Sequence, residues 1–156
     1  MPGDPAGLLS RDLIHLDEHA TDRVQAVRMC GQVLVDAGAV EPAYVESMLE
    51  RESSFSTYLG DGFAIPHGMF AGKESVHRDA LCVLRFPAGV DWGSGIVTVC
   101  IGIAAAGDGH VEILAELARI LLDPVRAEAL RTAEAPETIL SLLVADRAAA
   151  TGPAGR

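Results

Sequence analysis

Apolar positions along the chain alternate between helical spacing and short continuous runs. Val24, Val27, Cys30, Val33, Leu34 and Ala37 fall on one face of a helix. Thr21 suits its N-cap, with the helix starting at Asp22, and Gly38 suits its end. Pro42 fits the first turn of a second helix, which carries Tyr44, Val45, Met48 and Leu49 as an apolar stripe and finishes at Glu50-Arg51-Glu52-Ser53. A third helix starts near His110, with Val111, Leu114, Leu117, Ala118 and Leu121 inward. Asp123-Pro124 reads as the cap and first turn of a fourth, ending near Thr132, and Pro136-Glu137 opens a last one with Ile139, Leu140 and Leu143 inward.

The continuous runs read as strands. Leu13 to Leu16 suits a short one. Phe63-Ala64-Ile65 follows a Gly60-Asp61-Gly62 turn and runs into Pro66-His67-Gly68. Ala80 to Phe86 is stopped by Pro87, and a loop from Ala88 to Gly95 carries Val90 and Trp92. Ile96 to Ala105 breaks at Gly107-Asp108-Gly109. Strands and helices alternate without internal repeats, which predicts an α/β sandwich, one sheet with helices on both faces. No shift in composition divides the chain. Gly and Pro mark residues 1–11 as a flexible segment and 147–156 as a flexible tail, leaving one domain over 12–146.

Composition narrows the function classes. The chain has 156 residues, 49% of them hydrophobic, with one Trp, two Tyr and four Phe, so the core must be mostly Ala, Val, Leu and Ile. A net charge of −10 argues against a protein that grips a nucleic-acid backbone, a task for clustered Lys and Arg. Cys30, Cys82 and Cys100 are odd in number and lack a CxxC, which points to buried thiols in a reducing compartment. The run from Ile96 to Ala106 is too short to span a bilayer, which takes about 20 residues, and the N-terminus lacks the regions of a signal peptide. These features predict a soluble cytoplasmic protein with no direct membrane insertion.

Two of the five histidines occupy special places. His67 follows a strand, between a Pro that stiffens the approach and a Gly that leaves room beside it. His110 starts a helix after a strand end, where free amides and the helix dipole favour an anion and disfavour an imidazolium. A neutral His110 can donate one hydrogen bond, and a neutral His67 keeps a lone pair able to attack phosphorus. Such a pair can accept, hold and release a phosphoryl group, with Arg51 as a planar donor that offsets its charge. Each residue also has an ordinary reading: a turn histidine, a helix-start residue, and a solvated arginine between Glu50 and Glu52. A metal site on His67, His77 and His110 has no HxxxH or carboxylate spacing behind it, and no phosphate-loop, dinucleotide or serine-hydrolase motif occurs.

At these residues the sequence resembles a known family. GAVEPAYVESMLERESSFSTYLGDGFAIPHG, from Gly38 to Gly68, and the later IGIAAAGDGHVEILAELARIL are similar in order and spacing to the enzyme IIA component of the bacterial phosphoenolpyruvate-dependent sugar phosphotransferase system. Within the mannitol/fructose class they look most like the mannitol-specific type. The likeness spans roughly Asp12 to Ala145. It implies a single mixed sheet of about five strands between helices. It also implies that His67 takes a phosphoryl group from phospho-HPr and passes it to a cysteine of the IIB component of the mannitol permease. By the same resemblance His110 is the supporting histidine, Arg51 meets the phosphoryl group, and no cofactor or metal is needed. The sequence leaves open which nitrogen of His67 is phosphorylated. The turn before His110 and the loop between Trp92 and Ile96 are shorter than in some members. No IIB or membrane IIC region is visible, so a free-standing component is expected. A regulatory IIA-like protein phosphorylated on His67, and a non-catalytic binding module on the same fold, are the competing readings.

Overall fold

A computed structural model describes residues 8–68, 74–105 and 109–145 of the chain. A short 3-10 turn, Arg11–Leu13, leads into β1 (Ile14–His15). Then come α1 (Arg23–Asp36), α2 (Ala43–Ser54), β2 (Tyr58–Gly60), β3 (Phe63–Ala64), β4 (Ala80–Asp91) and β5 (Ile96–Ala104). The chain closes with α3 (Gly109–Leu121), α4 (Pro124–Thr132) and α5 (Pro136–Leu140), which runs into one wide turn over Ser141–Ala145. The five strands form one open sheet in the order β1-β4-β5-β3-β2. β1 runs parallel to β4 and β3 parallel to β5, while the β4–β5 and β2–β3 pairs are antiparallel, so the sheet is mixed as expected.

The core sits around the two long central strands. Ala80 to Leu84 and Val99 to Ala104 are all buried. Consecutive strand residues point to opposite faces, so this unbroken burial means both faces are covered. On one face α1 brings Cys30 against Cys82, whose thiol donates to the Cys30 carbonyl at 3.5 Å. Gly102 makes that approach possible, since a Cβ there would lie 2.7 Å from the Cys82 sulfur. All three cysteines are buried free thiols, as their spacing suggested.

Several boundaries differ from the sequence expectation. The cap of α1 is Asp22, not Thr21. Asp22 accepts from the Gln25 amide at 2.9 Å, while Gln25 reaches back to the Thr21 amide and hydroxyl. At the other end Gly38 adopts φ 78°, the left-handed conformation that closes a helix. Asp123 caps α4 by accepting from Val125, with Pro124 in the first turn as expected. Pro87 does not stop β4. The strand continues to Asp91 through a register shift between Arg85 and Val90, an irregularity of the kind that accommodates a proline without a ladder bond. Tyr58–Gly60, absent from the pattern reading, forms the edge strand β2. Leu8 and Leu9, expected in the loose N-terminal segment, are buried in the core. The tail beyond residue 145 lies outside the described residues.

Candidate active site at His67

β3 is only two residues long, yet the chain beyond it stays beside the sheet. The Ile65 amide donates to the Thr57 carbonyl at 3.1 Å, and the Pro66 carbonyl accepts from the Ile103 amide at 2.9 Å. Pro66 thus contributes through its carbonyl, and its missing N–H leaves this bond untouched. His67 pairs with Ile103 in a parallel bridge at the carboxyl end of β5. This is the end of the strands where ligands gather in open α/β sheets.

His67 is 4% exposed, and its ring Nδ1 lies 2.8 Å from the Ile65 carbonyl oxygen. A carbonyl only accepts, so Nδ1 carries the proton. In the neutral ring Nε2 then carries the lone pair. The backbone two residues upstream therefore selects the tautomer.

The segment after His67 is held from α2. The Tyr44 hydroxyl accepts from the Gly68 amide at 2.9 Å and donates to the Ile103 carbonyl at 2.8 Å. A Cβ on Gly68 would sit 2.5 Å from Tyr44 Cε1. The space that Gly68 leaves is filled by this ring, rather than kept open for an incoming molecule.

A second polar junction lies behind the site. Glu52 is buried, and its carboxylate accepts from the Thr57 amide at 3.0 Å, the Thr57 hydroxyl at 2.6 Å and the Trp92 indole at 2.9 Å. Thr57 in turn receives the Ile65 amide, and Ile65 receives His67 Nδ1. A hydrogen-bonded chain therefore links the β4–β5 turn, the end of α2 and the His67 ring. Sequence reading left Glu52 as one of several polar residues ending a helix. Its only signal was a carboxylate placed five residues before a threonine.

The three residues singled out from the sequence fare differently. His67 sits where it was expected, after a strand at the sheet's carboxyl end. Arg51 lies half-buried in the last turn of α2, where its guanidinium donates to the Phe55 carbonyl and stands 5.6 Å from the centroid of the Phe55 ring. It caps the end of its own helix. His110 lies in the first turn of α3, which follows the carboxyl end of β5 just as His67 follows that of its parallel neighbour β3. The His110 side chain lies outside the described residues. Among the described residues, no group of three or more His, Cys, Asp or Glu side chains is arranged to hold a metal ion. His77 approaches Glu41 at 2.5 Å. Among the described residues, no helix is long and apolar enough to cross a membrane.

Comparison with known proteins matches this arrangement to one family. The model of the phosphoenolpyruvate-dependent sugar phosphotransferase system, EIIA 2, matches residues 7–145. A multiphosphoryl transfer protein of Xanthomonas campestris is 42% identical over 144 residues, which is 92% of this chain but 17% of that protein. The chain thus spans a small part of that relative. The mannitol-specific phosphotransferase enzyme IIA component of Geobacillus stearothermophilus is 38% identical over 87% of this chain and 94% of its own length. Among solved structures, the mannitol enzyme IIA in complex with phosphorylated mannitol enzyme IIB from Escherichia coli superposes with a TM-score of 0.82. The two are 34% identical, over 88% of this chain and 97% of that one. With the family model covering nearly the whole described chain, and a solved relative superposing over 88% of it, the protein belongs to the EIIA 2 family of the phosphoenolpyruvate-dependent sugar phosphotransferase system.

Proposed function

We propose that this protein is a phosphohistidine carrier, which takes a phosphoryl group from phospho-HPr onto Nε2 of His67 and hands it to a cysteine of a IIB component. The observation that carries the reading is the bond from His67 Nδ1 to the Ile65 carbonyl. With the proton held on Nδ1, Nε2 attacks phosphorus without first losing one. The Nε2–P bond forms as the donor's N–P bond breaks, and the electron pair of that bond returns to the donor's imidazole. In the second step a cysteine thiolate attacks the same phosphorus, the S–P bond forms, and the pair of the Nε2–P bond returns to His67. While the group is held, the ring gains positive character and its bond to Ile65 becomes charge-assisted.

His110 supports the phosphorylated ring from the start of α3, where the helix dipole favours the phosphoryl anion. Arg51 neutralises part of the phosphoryl charge, releasing the Phe55 carbonyl to do so. Mannitol is the sugar served, in line with the mannitol-specific relatives from Geobacillus and E. coli. The relay needs no cofactor, since transfer from histidine to histidine to cysteine rests on positioning and charge. Its working compartment is the cytoplasm.

Incubation with phosphoenolpyruvate, enzyme I and HPr tests this. Acid-labile phosphate should appear on the wild type and vanish in His67→Ala, and the phosphorus NMR signal should be that of an Nε2-phosphorylated ring. Equal labelling of His67→Ala would overturn the assignment. Mannitol phosphorylation with the cognate IIB and IIC components then separates a transport component from a regulator.

A further inference from the structure

Tyr44 is a buried phenol, 2% exposed, that the phosphoryl relay does not use. Its ionisation is pushed above the ordinary tyrosine range by burial, so the hydroxyl stays protonated and can donate and accept together. It does both, accepting from the Gly68 amide and donating to the Ile103 carbonyl, with the Ala105 backbone also bonded to it. In a parallel bridge between His67 and Ile103, two ladder bonds are expected: Ile103 N–H to the Pro66 carbonyl, and Gly68 N–H to the Ile103 carbonyl. The first is present at 2.9 Å. At the second, the Tyr44 hydroxyl engages both ends: the Gly68 amide donates to it at 2.9 Å, and it donates onward to the Ile103 carbonyl at 2.8 Å.

We propose that Tyr44 is a positioning residue for His67: its hydroxyl joins the Gly68 amide to the Ile103 carbonyl and so fixes the His67 segment against β5. The proposal deepens the reading of His67 as the phosphoryl acceptor and rests on it for its catalytic consequence. Phenylalanine would fill the same space beside Gly68 but leave a buried donor and a buried acceptor facing one another. Those groups would close into a direct bond of about 2.9 Å or admit a water, and either shifts the peptide next to His67. A displacement of about 1 Å in a reacting group can lower a rate about 100-fold.

Tyr44→Phe in the full chain tests this with two readouts. Nitrogen NMR of the His67 ring, which needs no phosphoryl donor, should show the Nδ1–H form dominant in the wild type. In the variant the ring nitrogen shifts should change and a second tautomer should appear. Transfer from phospho-HPr should slow about 10- to 100-fold in kcat, with KM for phospho-HPr within about twofold, because a buried residue does not touch the donor protein. Unchanged ring shifts in a folded variant, or a loss confined to KM, would overturn the proposal. If the wild type takes up no phosphate, the carrier reading falls and the ring spectra alone decide on Tyr44. Should Tyr44→Phe fail to fold, 3-fluorotyrosine in a Tyr58→Phe background alters only this hydroxyl, since Tyr44 is then the sole tyrosine. A changed His67 ring spectrum with unaltered circular dichroism would support the proposal, and an unchanged one would overturn it.

Discussion

Glu52 is the side chain whose loss should be felt furthest. It is 5% exposed, and three donors converge on it from two other parts of the chain. Glu52→Ala leaves the Thr57 amide and the Trp92 indole N–H buried without their acceptor, each costing about 1–3 kcal/mol. The Thr57 hydroxyl can rotate towards another acceptor and adds less. Removing the carboxylate also relieves its own desolvation, which offsets part of the sum, so a net loss of about 3 kcal/mol is expected. Glu52→Gln behaves differently. Oε2 serves the Thr57 amide and Trp92, and Oε1 serves the Thr57 hydroxyl. The glutamine oxygen can take the first place and its amide group the second, donating to a turned hydroxyl. All three contacts survive as neutral bonds, so the cost should be about 1 kcal/mol. Urea unfolding followed by circular dichroism measures both. At an m-value of about 1.5 kcal/mol/M the alanine midpoint should fall by about 2 M. Trp92, the only tryptophan, gives a second probe through its fluorescence. A cycle with Trp92→Phe should show a coupling above about 0.5 kcal/mol. Equal costs for glutamine and alanine, or an alanine cost below about 1 kcal/mol, would refute the argument that this junction holds α2 to the sheet.

Stability should also fall on the alkaline side. Cys30 is held well above the ordinary thiol range, first by its hydrogen bond with Cys100 and then by burial, and Cys82 by its hydrogen bond with Cys30 and by burial. The unfolded thiols ionise near pH ~8.5 while the folded ones keep their protons, so the unfolded state binds fewer protons and stability drops as pH rises above that value. The slope is about 1.4 kcal/mol per pH unit for each thiol. Urea midpoints between pH 7.5 and 9.5 should show the drop, and Cys82→Ala should flatten it; an equal slope in the variant would remove the thiols as its cause. At the start of α1, Asp22→Ala should cost about 1 kcal/mol in thermal or urea unfolding, whereas Thr21→Ala should cost less, because Asp22 makes the capping bond. The reverse order would return the cap to Thr21.

The legible part of the fold was the part set by side-chain periodicity. α1, α3 and the buried runs of β4 and β5 each carry enough apolar positions to announce their period, and Asp123-Pro124 announces a helix start through capping chemistry. β2 was not legible, because Tyr58-Leu59-Gly60 carries too few residues to show an alternation, and pairing with β3 makes it a strand. Pro87 misled for a related reason. The sequence shows the missing N–H but not whether the ladder needs it at that point, and a register shift in β4 removes the need.

The site divides in the same way. His67 announced itself through the Pro-His-Gly setting, a property of neighbouring residue types. What selects its reactive nitrogen did not, because the acceptor is the Ile65 carbonyl, and every residue has one. Ile103 makes the point most sharply. In sequence it is one more core aliphatic on a buried strand, yet its amide holds Pro66 and its carbonyl holds Tyr44, on either side of His67. Its contribution runs entirely through the backbone, so substituting its side chain with Val or Leu should disturb packing while leaving both bonds in place. Residue identity specifies which side chain does the chemistry here. Strand register specifies where that side chain stands, and register depends on the whole core rather than on any residue near the histidine.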